Sequence, residues 1–182
     1  MTRKVNAKGR STSQHGGAMK RFGKIEDPFA PLTLPLLESE AWKSLSANGY
    51  RFISRLMLEH IHHGGYENGR LVVTYKQLEE YGLSRNCIRD AITECEVFGL
   101  VETVEVGGMD RNIRKPSKYR ITFLFTESAK PTDEWRRVTA QKIQAFRDRQ
   151  RKDRLSKKRR RKSDGATRKV AGSTPPDLRV VR

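Results

Sequence analysis

The sequence predicts an α+β fold. It reads as one small domain with a helical core followed by a β-hairpin, flanked by a basic N-terminal arm and a basic C-terminal helix and tail. Three observations predict it. Between residues 74 and 98 two helical patterns, each opened by a hydroxyl residue and closed by a glycine, meet across a tight turn at Gly82. Residues 100–106 and 118–123 alternate with period two around a loop opened by Gly107-Gly108. The charge is also partitioned. Residues 1–24 carry seven basic and no acidic side chains, 25–129 twelve and fifteen, and 130–182 nineteen and six. The formal net charge of +17 therefore belongs to the ends, and the part with aliphatic periodicity is close to neutral. The expected divisions are 1–27, 28–128 and 129–182.

Residues 1–27 hold too few apolar side chains to offset the entropy of ordering them, and read as a disordered arm. Pro28, Pro31 and Pro35, interleaved with Phe29, Leu32, Leu34 and Leu36, suggest an extended segment pinned to the domain surface. Ser39 starts a short helix expected to end near Asn48-Gly49, with Trp42 and Leu45 inward. From Tyr50 to His63, the residues Phe52, Ile53, Leu56, Met57 and Ile61 keep helical spacing until Gly64-Gly65. Asn68-Gly69 is a turn, and Leu71, Val72 and Val73 form a short strand.

Thr74 and Gln77 make a capping box, with Val73 and Leu78 as its hydrophobic staple, and Gly82 ends that helix. Ser84 caps the next, over 85–98, where Ile88, Ala91, Ile92, Cys95 and Phe98 form the buried stripe. Arg85, Asn86, Arg89 and Thr93 are left on other faces, and Glu94 and Glu96 fall at the far end. Gly99 closes the helix. In 100–106, Val101 and the valines of its parity are expected to separate from the acids, and 118–123 alternates likewise. The loop between these strands carries Arg111, Arg114, Lys115 and Lys118 against Asp110. After the break at Lys130-Pro131, Thr132, Asp133 and Glu134 start a helix with the sparse seam Trp135, Val138, Ile143 and Phe146. That seam docks either on the domain or on a second copy. Arg147, Arg149, Arg151, Lys152, Arg154, Lys157, Lys158, Arg159, Arg160, Arg161 and Lys162 then form a basic run whose like charges repel, and its helix is expected to depend on phosphate neutralisation. The remainder to Arg182 reads as disordered.

Over residues 42–123 this order of elements resembles the winged helix-turn-helix family, most closely the winged helices of plasmid and phage replication initiators and bacterial transcriptional regulators. One departure is Leu78, where an ordinary helix-turn-helix has a small residue. The resemblance implies that 85–98 is a recognition helix. Arginine can fork to guanine and asparagine to adenine, so Arg85, Asn86, Arg89 and Thr93 become the candidate base readers. It further implies a wing over sugar-phosphate or in a minor groove, giving Thr74, Lys76, Ser84, Arg111, Arg114, Lys115 and Lys118 as backbone contacts. A hairpin whose cations merely protect its edges is the alternative.

Other function classes find little support. The longest apolar runs fall far short of a membrane span, and the basic tail lacks the broad apolar face of an interfacial helix. The basic N-terminus has no apolar core of a secretory signal. Cys87 and Cys95 lie about 12 Å apart along one helix, so no disulfide is expected. His60, His62 and His63 diverge around a helix without other ligands, so no metal and no cofactor is expected. No motif for an enzyme is present.

The expectation is a cytoplasmic, nucleoid-associated protein that binds double-stranded DNA by sequence and regulates transcription. A plasmid or phage replication protein that binds an origin is the alternative, recruiting its partner through the 135–146 helix. A protein-interaction module with tails that bind RNA non-specifically is the third. A second copy of the chain is a further expected partner, and the basic run would serve as a nuclear-import signal only in a eukaryotic host.

Overall fold

The computed structural model describes residues 27–110 and 113–171. The expected disorder at 1–26 and beyond 171, and the role given to Arg111, lie outside the described residues. The chain divides into two units, 1–30 and 31–182. Only residues 27–30 of the first are described. The second is a mixed helix and sheet structure of the α+β class.

The proline-rich segment is not extended throughout. Helix α1 spans Leu34–Glu38 with Pro35 in its first turn, where the missing N–H would have had no intrahelical partner. Its Leu36 is fully buried. Ser39 then serves two helices: its hydroxyl donates to the Leu36 carbonyl at 2.6 Å and accepts from the Trp42 amide at 3.1 Å, starting α2 (Glu40–Lys43).

Helix α3 (Ala47–His62) begins earlier than the sequence suggests and runs straight through Asn48-Gly49. Ser46 caps it by accepting from the Gly49 amide at 3.1 Å. Gly49 is there for proximity and not to end a helix. A β-carbon on it would lie 2.9 Å from Leu45 Cδ2 and 3.0 Å from Glu94 Oε2, so the glycine lets a neighbouring helix come close.

Strand β1 (Leu71–Val72) leads into α4 (Tyr75–Glu80), whose capping box at Thr74 and Gln77 is present, with Val73 and Leu78 buried beneath it. Gly82 sits at φ 92° between α4 and α5 (Arg85–Val97). Ser84 precedes α5, but its hydroxyl makes no cap hydrogen bond; its carbonyl accepts from Cys87 at 2.8 Å instead. The buried stripe of α5 contains Ile88, Ala91 and Cys95, and also Glu94.

Strands β2 (Val101–Glu105), β3 (Gly108–Asp110), β4 (Ile113–Lys115) and β5 (Lys118–Ile121) follow. The antiparallel sheet has the order β1-β5-β2, and β3 pairs with β4 as an outer hairpin. Val101 opposes Ile121 and Thr103 opposes Tyr119, but the register slips between Thr103 and Glu105. The expected segregation of valines fails, because Val104 and Val106 share the parity of Glu102, not of Val101, and they are 53% and 81% exposed. Gly107 closes the neck of this hairpin, since a β-carbon there would lie 2.6 Å from the Lys115 carbonyl oxygen.

Strand β5 stops at Ile121 and does not reach Phe123, because buried Asn68 claims the backbone beyond it. The Asn68 amide donates to the carbonyls of Ile121, Leu124 and Phe125 at 2.9, 3.0 and 3.1 Å and accepts from the Ile121 N–H at 2.8 Å. Phe123 meets Trp42, half-buried rather than inward, edge to face at 6.1 Å.

The segment after residue 128 is expected from the sequence to lie outside the domain, and it does not. Asp133 adopts the left-handed conformation at φ 49° and a 3-10 turn, Glu134–Arg137, replaces the start of the expected helix. The turn packs backbone to backbone on Gly99, where a β-carbon would be 2.8 Å from the carbonyl carbon of Glu134. The amides of Thr132 and Asp133 both donate to the Thr122 carbonyl, at 2.9 and 3.2 Å. Trp135, Val138 and Ile143 are buried, and Phe146 packs edge to face on Phe98 at 5.6 Å. Helix α6 (Ala140–Ala171) is thus rooted in the core. Of the two docking choices open to its seam, the structure takes the chain's own domain, and the packed region continues to Arg147.

Candidate nucleic-acid interface

Arg85, Asn86, Arg89 and Thr93 are all exposed on α5. At about 100° per residue they fall within one quadrant of the helix, opposite the buried stripe. The same quadrant ends in Glu96, which accepts from the Thr103 hydroxyl and so ties the helix to β2. Basic and amide groups therefore occupy the first half of the exposed edge and a carboxylate its last turn.

The start of α4, the start of α5 and the neck of the hairpin line one open groove. Thr74, Lys76, Glu79 and Arg85 form one wall, and Gly107, Lys115, Pro116 and Ser117 the other. Three of its cations come from three separate elements. The groove is not uniformly cationic: Arg85 lies 3.8 Å from Glu79 and Lys76 lies 3.9 Å from Glu80. Both pairs are exposed, where ion pairs contribute about 0–1 kcal/mol, so a phosphate could displace either carboxylate at little cost. Tyr75, 43% exposed on the same wall, is not singled out by the sequence; only its place directly after the Thr74 cap signals it.

Several expected contacts have other roles. The Thr74 hydroxyl is used by the capping box, donating to Gln77 Oε1 at 3.0 Å and accepting from the Gln77 amide at 3.3 Å. Lys118 lies on β5 and pairs with Glu105 at 2.6 Å, which holds the Glu105 carboxyl below its usual range. The side chain of Arg114 lies outside the described residues, as do those of Arg160, Arg161 and Lys162. Arg149, Arg151, Lys152, Arg154, Lys157, Lys158 and Arg159 are exposed along α6.

Arg147 is not a tail cation. It meets Glu94, whose side chain is 2% exposed, at 3.1 Å, and its guanidinium lies 5.9 Å over the Phe98 ring while donating to the Ser44 carbonyl. The Ser46 amide donates to the same carboxylate at 3.0 Å and the Ser46 hydroxyl donates to it as well. Glu94 therefore joins α5, the start of α3 and α6. Sequence periodicity places an acid at that position without showing that it is buried; the later arginine that answers it is hidden within the basic run.

His60 is buried, and burial pushes its pKa down. His63 lies 3.2 Å from Glu59, which also binds Arg55 at 2.8 Å. Burial raises the Glu59 carboxyl, but the hydrogen bonds and charges of Arg55 and His63 outweigh it and hold the pKa below its ordinary value. Burial, with Glu94 and Glu96 nearby, pushes the Cys95 thiol up. Among the described residues no cluster of three His, Cys, Asp or Glu side chains could hold a metal ion, and no helix is long and apolar enough to cross a membrane.

In comparisons with known proteins, no family model, no curated protein and no solved structure matches this chain.

Proposed function

We propose that this chain is a sequence-specific double-stranded DNA-binding protein built as a winged helix, with α5 as the recognition helix in a major groove and the β2–β5 hairpin as the wing. Transcriptional regulation in a bacterium or mobile element is its use. The observation that carries this reading is the single exposed quadrant holding Arg85, Asn86, Arg89 and Thr93, beside a groove lined by Lys76 and Lys115. A helix reads bases through such an edge, while cations from adjoining elements hold the phosphates on either side. Lys76, Arg85 and Lys115 supply the backbone grip, and α6 adds cations that favour any polyanion. A replication protein that recruits its partner through residues 135–146 fits less well, because Trp135, Val138 and Ile143 are buried in the chain's own core.

Selection of bound duplexes from a random library tests the proposal. An enriched motif is expected. A flat outcome at low and high salt alike would reduce the chain to a non-specific polyanion binder.

A further inference from the structure

Helix α6 runs alongside α5 in the opposite direction. Phe146 meets Phe98, and Arg147 meets Glu94. Gln150 and Arg154 then line a narrow crevice with Cys87, Asp90 and Ala91. As the number rises on α6 it falls on α5, so α6 leaves the domain past the N-terminal end of α5, along a face of that helix turned away from Arg85, Asn86 and Arg89. Its root is fixed by two ring and charge contacts, and from there the helix continues to Ala171.

Residues 151–159 are exposed and contain Arg151, Lys152, Arg154, Lys157, Lys158 and Arg159 against the single acid Asp153. Around the axis, Arg151, Arg154 and Lys158 lie within about 40° of Arg147, Lys152 and Arg159 on one flank, and Lys157 on the other. These cations cover more than half of the circumference, with Ser156 and Asp153 on the remaining side, and so wide an arc does not match one phosphate row; it matches a groove with phosphates on both sides. We infer that α6 is a rigid second arm, held in register with α5 by Arg147 and Glu94, that lies in a groove of the same duplex. This rests on the reading of the chain as a duplex DNA binder. A flexible basic tail would supply the same charge without the register.

The experiment separates these. The full chain and two variants of unchanged charge, Gly-Ser-Gly inserted between Arg154 and Leu155 and Leu155→Pro, are titrated against a long random-sequence duplex across a range of salt. Both changes lie in the exposed part of α6, beyond its rooted residues, so matching thermal melts will show that the domain is intact. For a rigid arm, both variants should bind more weakly, and the slope of log K against log salt should shrink by roughly 1.8, as about two fewer phosphates are neutralised. Slopes equal to that of the intact chain overturn the arm, since a loose tail would do as well. So does intact chain binding phosphatidylserine vesicles as tightly as duplex at the same salt. Random duplex keeps the result independent of base reading: if Arg85→Ala and Arg89→Ala leave site preference unchanged while the slope still falls, the reading of α5 fails and the arm stands.

Discussion

Arg147 and Glu94 face each other at 3.1 Å, and through Ser46 this one contact joins the start of α3, the C-terminal part of α5 and the root of α6. Glu94 is taken almost wholly out of water, so its stability depends on every donor around it. Removing Arg147 leaves a buried carboxylate with only Ser46 donating to it. Arg147→Ala is expected to cost about 1–3 kcal/mol, read from denaturant midpoints. In a double-mutant cycle with Glu94→Gln the losses should not add, because the second change removes the charge that the first leaves unpaired. Strict additivity would mean that the two side chains do not sense each other.

Asn68 is the second test of buried polarity. Its amide satisfies three carbonyls and one N–H at the end of β5. Asn68→Ala should destabilise by at least about 2 kcal/mol, since several backbone groups lose their partner together. Asn68→Asp should be worse, because a carboxylate oxygen would then face the carbonyls that now accept from Nδ2. Chemical denaturation of the two variants side by side checks the order.

Two glycines separate strain from crowding. Gly69 has φ 98° and no atom within 4 Å of where a β-carbon would stand, whereas Gly99 has φ 64° and the backbone of Glu134 at 2.8 Å. Gly69→Ala should cost only the left-handed backbone strain, about 1 kcal/mol. Gly99→Ala should cost more and should loosen the 3-10 turn, seen as a loss of the fluorescence signature of buried Trp135. Equal effects would show that the turn does not depend on Gly99.

His60 sets a pH dependence. Its folded pKa lies below the ordinary value of 6.5, so the unfolded chain binds the proton more readily. Stability from the neutral, buried ring is complete above pH 6.5 and declines as pH falls from there toward the folded pKa. Glu59 has the lowered-acid pattern, so its contribution is present above 4.5 and is lost as pH drops through its folded pKa. Unfolding free energy should therefore fall in two stages on acidification, and His60→Phe should flatten the first. A wild-type profile that is level between pH 7 and 5.5 would contradict this.

For recognition, Arg85→Ala and Arg89→Ala should each cost about 1–3 kcal/mol on a selected duplex and little on random duplex, measured by competitive binding. Lys76→Gln and Lys115→Gln, on the groove walls, should weaken both duplexes alike and lower the salt slope by about 0.9 for each phosphate no longer neutralised.

The sequence by itself determined the elements whose causes are local. The Thr74 and Gln77 box, the glycine at 82, the stripe of Ile88, Ala91 and Cys95, and the pairing of 101–105 with 118–121 follow from caps, turns and periodicity within a few residues. The exposed quadrant of Arg85, Asn86, Arg89 and Thr93 was legible for the same reason, since helical spacing alone puts it opposite the stripe. What only the tertiary structure decided are features whose causes lie far away along the chain. Gly49 reads locally as a helix end, yet a crossing helix needs its missing β-carbon. Glu94 reads only as an acid near the far end of its helix, yet it is buried, with Ser46 and Arg147 as its partners. The segment 129–147 reads as a helix beyond the domain whose seam has two possible seats, yet Gly99, Phe98 and Glu94 hold it in the core. Spacing reports which face a residue occupies, but whether that face meets water or another segment depends on packing, and packing brings together residues that no local pattern links.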